Sequence, residues 1–204
     1  GQPVLPEEFL AFKAKLVQLT NEAEVVTFNG SVPKGISAEN YKELIEETMA
    51  AGVPCIVDAS GALLTSCIDA LPTMIKPNTD EIGQLLGREV TTEDEVIKAA
   101  QELHKRGIKI VVVSLGAKGA LMVSDEGTFR ANPPKIEAIN PVGAGDTLVG
   151  SFAVALAQQK PTSECLTFAL SCATASCLSA GTGRFDQDVA TKIQKQVTIK
   201  KIAE

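Results

Sequence analysis

The sequence predicts an α/β fold, a largely parallel sheet covered by helices, read as a single domain over residues 1–204. Three observations predict it. Short β-branched runs alternate with helical apolar stripes from residue 6 to residue 115. The most apolar run, 109–115, lacks a polar face, as expected of a strand covered on both sides. The loops richest in Gly, Asn, Ser and Asp fall just after these runs, at the strand carboxyl ends where such sheets place their sites.

In chain order, Pro6-Glu7-Glu8 opens a helix with Phe9, Phe12, Leu16 and Leu19 on one stripe, proline and acids suiting a first turn. Residues 24–28 form a short strand, and the loop FNGSVPKG follows. Ser37 caps a helix with Tyr41, Leu44, Ile45 and Met49 on its face, ended by Gly52. A strand at 54–58, a helical turn region at 60–70 and a strand at 73–76 lead to a helix over 80–86, closed by Gly87. Thr92 and Glu95 have capping-box spacing for a helix through Lys105, and Gly107 ends it. After the strand at 109–115 and a turn at 116–119, residues 120–124 and 128–132 predict a β-hairpin around Asp125-Glu126-Gly127. Helices over 146–159 and 163–180, rich in Ala, Ser and Cys, predict close packing. Asp186 caps a last helix before VTIKKI, an edge strand.

Composition excludes several classes. With 45% hydrophobic and 22% charged residues and a net charge of −6, the chain suits an ordinary globular protein that does not bind nucleic acid; its most basic stretch, 192–201, is broken by Gln, Val and Ile. There is no charged-then-apolar leader and no run near the roughly 20 apolar residues needed to cross a bilayer, so a cytoplasmic protein without a membrane partner is expected. Five cysteines, odd in number and without CxxC spacing, disfavour a disulfide frame or a zinc site. A single histidine, His104, leaves little material for a His-based triad or a multi-His metal site.

The stretch 136–159 carries the most chemistry. An apolar segment ends at Asn140-Pro141, turns through Gly143-Ala144-Gly145 and enters a helix near Asp146. Glycines admit a close backbone approach, and unpaired N–H groups of a first helical turn carry partial positive charge, so phosphate is the natural guest. Asp146 would repel that guest; a carboxylate there suits removal of a proton from an attacking hydroxyl. No GK[ST] follows, which excludes a P-loop, and Gly150 lies too far beyond Gly145 for the dinucleotide fingerprint. Asn29-Gly30-Ser31, Asp58, Asn78 with Glu81, and Ser114-Leu115-Gly116 also follow strands and would line the same rim.

NPVGAGDTLVGSFA, residues 140–153, resembles the C-terminal signature of the ribokinase-like (PfkB) carbohydrate kinases, departing at Ser151, where the pattern wants Gly or Ala. GSVPKG, VDASG, IKPNTDEI, SLGAKGALM and the late GTG fall in family order, with wording most similar to the tagatose-6-phosphate kinase and 1-phosphofructokinase subfamilies. The resemblance implies a ribokinase-like, Rossmann-type fold and ATP-dependent phosphorylation of a hydroxyl on a ketohexose phosphate, with Mg²⁺ as cofactor. By position it makes Asp146 the catalytic base, and Gly143, Ala144 and Gly145 the anion hole. Ser114, Gly116, Gly119, Gly181 and Gly183 fall on the ATP-binding turns, and Asn78 and Glu81 on the element that places Mg²⁺ through water. Gly30, Ser31 and Lys34 are the candidates for the sugar end. Asn140-Pro141 stands where cation-stimulated members carry Asp-Thr, so no monovalent-cation site is expected. The resemblance further implies that the N-terminal third, with early strands and the lid, lies outside this chain, and it leaves a homodimer open for the full-length protein.

Each residue also has a plainer explanation. Asp146 and Glu81 suit a first helical turn simply as acids. Gly116 and Gly119 suit a tight turn, and Lys34 a solvated loop. Two other functions stay open: a nucleotide-binding or structural fragment without turnover, and a family kinase acting on an unphosphorylated sugar or a nucleoside.

Overall fold

The computed structural model describes residues 2–203. Pro6–Thr20 forms α1, Val26–Asn29 β1, Ala38–Ala50 α2, Cys55–Asp58 β2, Gly61–Cys67 α3, Met74–Ile75 β3, Thr79–Leu86 α4, Glu93–Lys105 α5 and Ile110–Ser114 β4. The hairpin pairs β5, Ala120–Ser124, with β6, Gly127–Asn132; α6, Ala144–Ala157, α7, Thr162–Ser176, α8, Gln187–Gln194, and β7, Thr198–Ala203, complete the order. The signals read from the sequence act as expected at several ends. Ser37 Oγ accepts the Asn40 N–H at 3.1 Å, and Thr92 and Glu95 close a reciprocal box on α5.

Among the described residues seven strands form one sheet in sequential order. β1 to β4 run parallel, and β5, β6 and β7 add antiparallel pairs, so the sheet is mixed, with its parallel half carrying the strand ends that matter below. β4 shows why its sequence has no polar face: Val111 and Val113 join the core under α2 to α5, while Ile110 and Val112 join the core under α6 and α7. Each such side chain stabilises the fold by about 1.5–3 kcal/mol relative to exposure. The Ala-, Ser- and Cys-rich helices pack closely: Ala155 on α6 and Ala169, Cys165 and Ser171 on α7 are buried, and the Ser151 hydroxyl rests against Cys172.

α1 corrects one expectation. Phe9 is buried and Leu16 packs on the core, but Phe12 and Leu19 are 56% and 49% exposed. Among the described residues α1 packs chiefly on α2, and a helix held along one side cannot cover so wide a stripe. α6 begins two residues earlier than the acid at 146 suggests, because Gly143 takes the cap position. The five cysteines are free thiols, and burial pushes those of Cys55, Cys67 and Cys165 up to about 12, 11 and 11, which makes them packing groups, not nucleophiles. Among the described residues no helix is long and apolar enough to cross a membrane.

Candidate active site

The ends of β1 to β4 form a continuous rim. Asn29 pairs in register with Asp58, and the Gly30 N–H donates to the Asp58 carbonyl at 2.8 Å, which fixes the start of the GSVPKG loop beside β2. One strand further on, the Lys76 ammonium meets Asp58 Oδ1 at 3.0 Å, the two side chains only 9% and 19% exposed. Burial pushes the Asp58 carboxyl up; Lys76 opposes that shift, and the nearby charges of Glu81 and Asp146 add to it. The Ser114 N–H donates to the Pro77 carbonyl at 3.0 Å, and Asn78 bridges Ser114, bringing the β4 end to the start of α4. A cleft of about 350 Å³ opens there, lined by Asn78, Thr79, Ser114, Gly116 and Lys118.

The start of α6 faces this rim. Gly143 has φ of 83°, and a Cβ on it would lie 2.8 Å from Thr182 Cγ2 and 3.0 Å from the Gly183 nitrogen, so only glycine lets the two loops pack together. Asn140 fastens them: its Nδ2 donates to the Ala180 carbonyl at 3.2 Å and to Thr182 Oγ1 at 3.4 Å, and its Oδ1 accepts the Val142 N–H at 3.0 Å. The Ala144 N–H is spent on the Pro141 carbonyl at 3.2 Å. Among the described residues the N–H groups of Gly143, Gly145 and Asp146 have no backbone acceptor, so the open donors are these three, and Ala144 belongs to the turn that presents them. The Asp146 side chain is exposed beside them.

Asn78 and Glu81 have a structural task. Asn78 Oδ1 accepts the Glu81 N–H at 2.9 Å and Glu81 Oε2 accepts the Asn78 N–H at 2.8 Å, a capping box that accounts for their spacing. Among the described residues no group of three or more His, Cys, Asp or Glu could hold a metal. The box engages only one carboxylate oxygen of Glu81, and Mg²⁺, which retains several waters and takes few protein ligands, fits that sparse donor set.

The remaining candidates fall at both ends of the rim. Gly116, φ 57°, and Gly119, φ 96°, make the turn after Ser114, where a Cβ at Gly119 would collide with the Ala131 carbonyl; that turn explains both glycines without a ligand. Gly181 and Gly183 lie in the loop packed on Gly143. Ser31 and Lys34 are exposed, and the Lys34 carbonyl accepts the Val4 N–H at 2.8 Å, tying this loop to the N-terminal residues. Sequence reasoning missed Lys76, which the structure places beneath the glycine loop: a Cβ on Gly145 would lie 3.8 Å from its Nζ. A lysine at the end of an apolar run, two residues before the helix cap Asn78, was the available signal.

A parallel sheet with an open helix N-terminus, an exposed acid and a buried cation at its carboxyl rim is the class of site that handles phosphate groups. Residues 4–188 match the sequence profile of the family described as pfkB family carbohydrate kinase, and the chain belongs to that family. It is 35% identical over 196 residues to the ATP-dependent 6-phosphofructokinase isozyme 2 of Escherichia coli (strain K12), covering 95% of this chain and 63% of the relative. It is 32% identical over 202 residues to a tagatose-6-phosphate kinase of Staphylococcus epidermidis, covering 98% of this chain and 65% of the relative. A crystal structure of phosphofructokinase-2 from Escherichia coli in complex with potassium superposes with a TM-score of 0.89 at 34% identity, covering 95% of this chain and 63% of that one. The chain thus spans 63% and 65% of the length of these curated relatives.

Proposed function

We propose that this chain carries the ATP-handling part of a phosphosugar kinase, which transfers the γ-phosphoryl of ATP to a hydroxyl of a phosphorylated ketohexose, a tagatose 6-phosphate or a fructose phosphate. The observation that carries the reading is the start of α6, where an exposed Asp146 stands beside amides of Gly143, Gly145 and its own residue that have no backbone acceptor. Asp146 takes the proton from the acceptor hydroxyl as that oxygen bonds to the γ-phosphorus and the bond to the departing ADP breaks. The open amides donate to the phosphoryl oxygens as charge shifts onto them, and the buried Lys76 ammonium adds a positive charge beneath. Mg²⁺, when bound through Asn78 and Glu81, supplies charge neutralisation of the phosphates. Ser114, Gly116, Gly119, Gly181 and Gly183 flank the nucleotide, and Gly30, Ser31 and Lys34 meet the acceptor. The names of the relatives support the acceptor class, a hexose phosphate.

The test is a coupled ADP-release assay with fructose 6-phosphate, tagatose 6-phosphate and fructose 1-phosphate, run alongside ATP titration by calorimetry. Sugar-dependent release supports the reading. Nucleotide binding without release favours a second reading, a nucleotide-binding module without turnover of its own, which the 63% and 65% coverage of the relatives motivates.

A further inference from the structure

One charge in the rim, Asp58, has no assigned task, and it is paired with Lys76. Lys76 and Asp58 sit at the ends of adjacent parallel strands, both held by backbone: the Lys76 N–H donates to the Val57 carbonyl at 3.1 Å, and the Asp58 carbonyl accepts the Gly30 N–H at 2.8 Å. Their 3.0 Å pair is more than four-fifths buried on each side. Taking both charges out of water is costly, and apolar side chains filling the same volume often stabilise a fold as well or better. A task in holding the fold therefore does not explain the pair.

Placement does. An ammonium has three N–H donors, and Asp58 Oδ1 takes one of them. The glycine loop lies over the ammonium: a Cβ on Gly145 would sit 3.8 Å from Nζ and 4.0 Å from Cε. An anion held by the open amides of Gly143, Gly145 and Asp146 would therefore stand within reach of a cation that Asp58 keeps from swinging away along its flexible stem. We propose that Asp58 is a positioning residue, which acts through Lys76 by holding the ammonium beneath the anion loop so that it engages the terminal phosphates of a nucleoside triphosphate. This rests on the proposed function for the identity of the anion, and not for the coupling of Asp58 to Lys76.

The two effects of removing Asp58 have opposite signs. Deleting a negative charge near a triphosphate would by itself tighten binding, whereas releasing the lysine weakens it. The test is a double-mutant cycle on the full chain, reading calorimetric affinity for a non-hydrolysable ATP analogue with Mg²⁺ and, separately, for AMP, which lacks the terminal phosphates. Asp58→Asn is expected to weaken the analogue about tenfold, the scale of one hydrogen bond to a charged group, and leave AMP within about twofold. Lys76→Met is expected to weaken the analogue further, and Asp58→Asn/Lys76→Met no further than Lys76→Met alone, since the two residues act as one unit. Analogue affinity equal to or tighter than wild type in Asp58→Asn, equal losses for analogue and AMP, or additive losses in the double variant overturn the proposal. Should Asp58→Asn fail to fold, Asp58→Glu keeps the charge and moves it; unchanged analogue affinity there overturns it equally. If the wild type binds the analogue but releases no ADP with any sugar phosphate, the proposed function falls while the cycle still decides Asp58; if it binds neither nucleotide, both fall.

Discussion

Helices α4 and α6 both begin at the carboxyl rim of the sheet, yet their first turns are built in opposite ways. α4 is closed by its own side chains, Asn78 and Glu81 each accepting the other's N–H. α6 begins at a glycine without any side-chain cap, and among the described residues three of its leading N–H groups have no backbone acceptor. A third helix, α7, is capped from outside: Glu126 in the hairpin turn accepts the Thr162 N–H at 2.6 Å and the Ser163 N–H at 3.3 Å. Among the described residues α4 and α7 are thus satisfied locally or by a neighbour, whereas α6, which carries Asp146, starts without a side-chain cap, as the short α3 does after Ser60. A cap is worth about 1 kcal/mol, so omitting one has a cost that a bound anion can offset.

Asp146→Asn is the most severe way to strain this contrast. It keeps the open amides and removes only the carboxylate proposed as base, so ATP affinity measured by calorimetry is expected to persist while turnover falls about 10²- to 10⁴-fold. Near-normal turnover would reduce Asp146 to an ordinary first-turn acid. Gly143→Ala comes next, because its left-handed φ of 83° and the 2.8 Å approach to Thr182 leave no room for a Cβ. A loss of about 1–3 kcal/mol in denaturant unfolding is expected, together with weaker nucleotide binding. A fully stable variant with unchanged affinity would show that the loop is looser than its packing implies.

At the closed end the two partners separate stability from charge. Asn78→Ala is expected to cost about 1 kcal/mol as the α4 cap is lost. Glu81→Gln keeps an oxygen to accept the Asn78 N–H, so thermal stability stays near wild type while the Mg²⁺ concentration needed for half-maximal turnover rises. An unchanged Mg²⁺ requirement would confine Glu81 to its cap. Glu126→Ala, removing the cap supplied from the hairpin, is expected to cost about 0.5–1 kcal/mol, reduced from a buried contact because the carboxylate is exposed.

The smallest effect is one of pH. Backbone N–H donation from Thr92 and Thr91 holds the Glu95 carboxyl at about 2, below its ordinary 4.5. A carboxylate with a depressed folded-state value contributes stability above its unfolded value and loses it as pH falls through the folded one. Melting of wild type and Glu95→Gln should therefore differ at pH 6, and the gap should narrow between about pH 4.5 and pH 2. A gap independent of pH would mean that Glu95 caps α5 by shape alone.

Much of this site was legible in the chain. Ser37, Thr92 with Glu95, and Asn78 with Glu81 declare helix starts because capping is decided within four residues. The hairpin and the doubly covered β4 were readable for the same reason, turn chemistry and periodicity being local. The stripe on α1 misled, since burial depends on what stands opposite and the sequence of a helix does not say. The metal spacing of Asn78 and Glu81 was ambiguous because one geometry serves a cap and a cation alike.

By itself, then, the sequence determined the order and kind of the elements, the strand-end position of the polar loops, and, through Gly143 and Gly145 before Asp146, a helix start without a side-chain cap. Tertiary structure decided which groups meet there. Lys76 and Asp58 lie on different strands, Asn140 and Thr182 on loops far apart in the chain, and Glu126 reaches α7 from the hairpin. Local propensity acts over one turn or one pleat, whereas a charge pair or a loop clamp exists only once parallel strands have set their register and brought distant residues within a few ångströms.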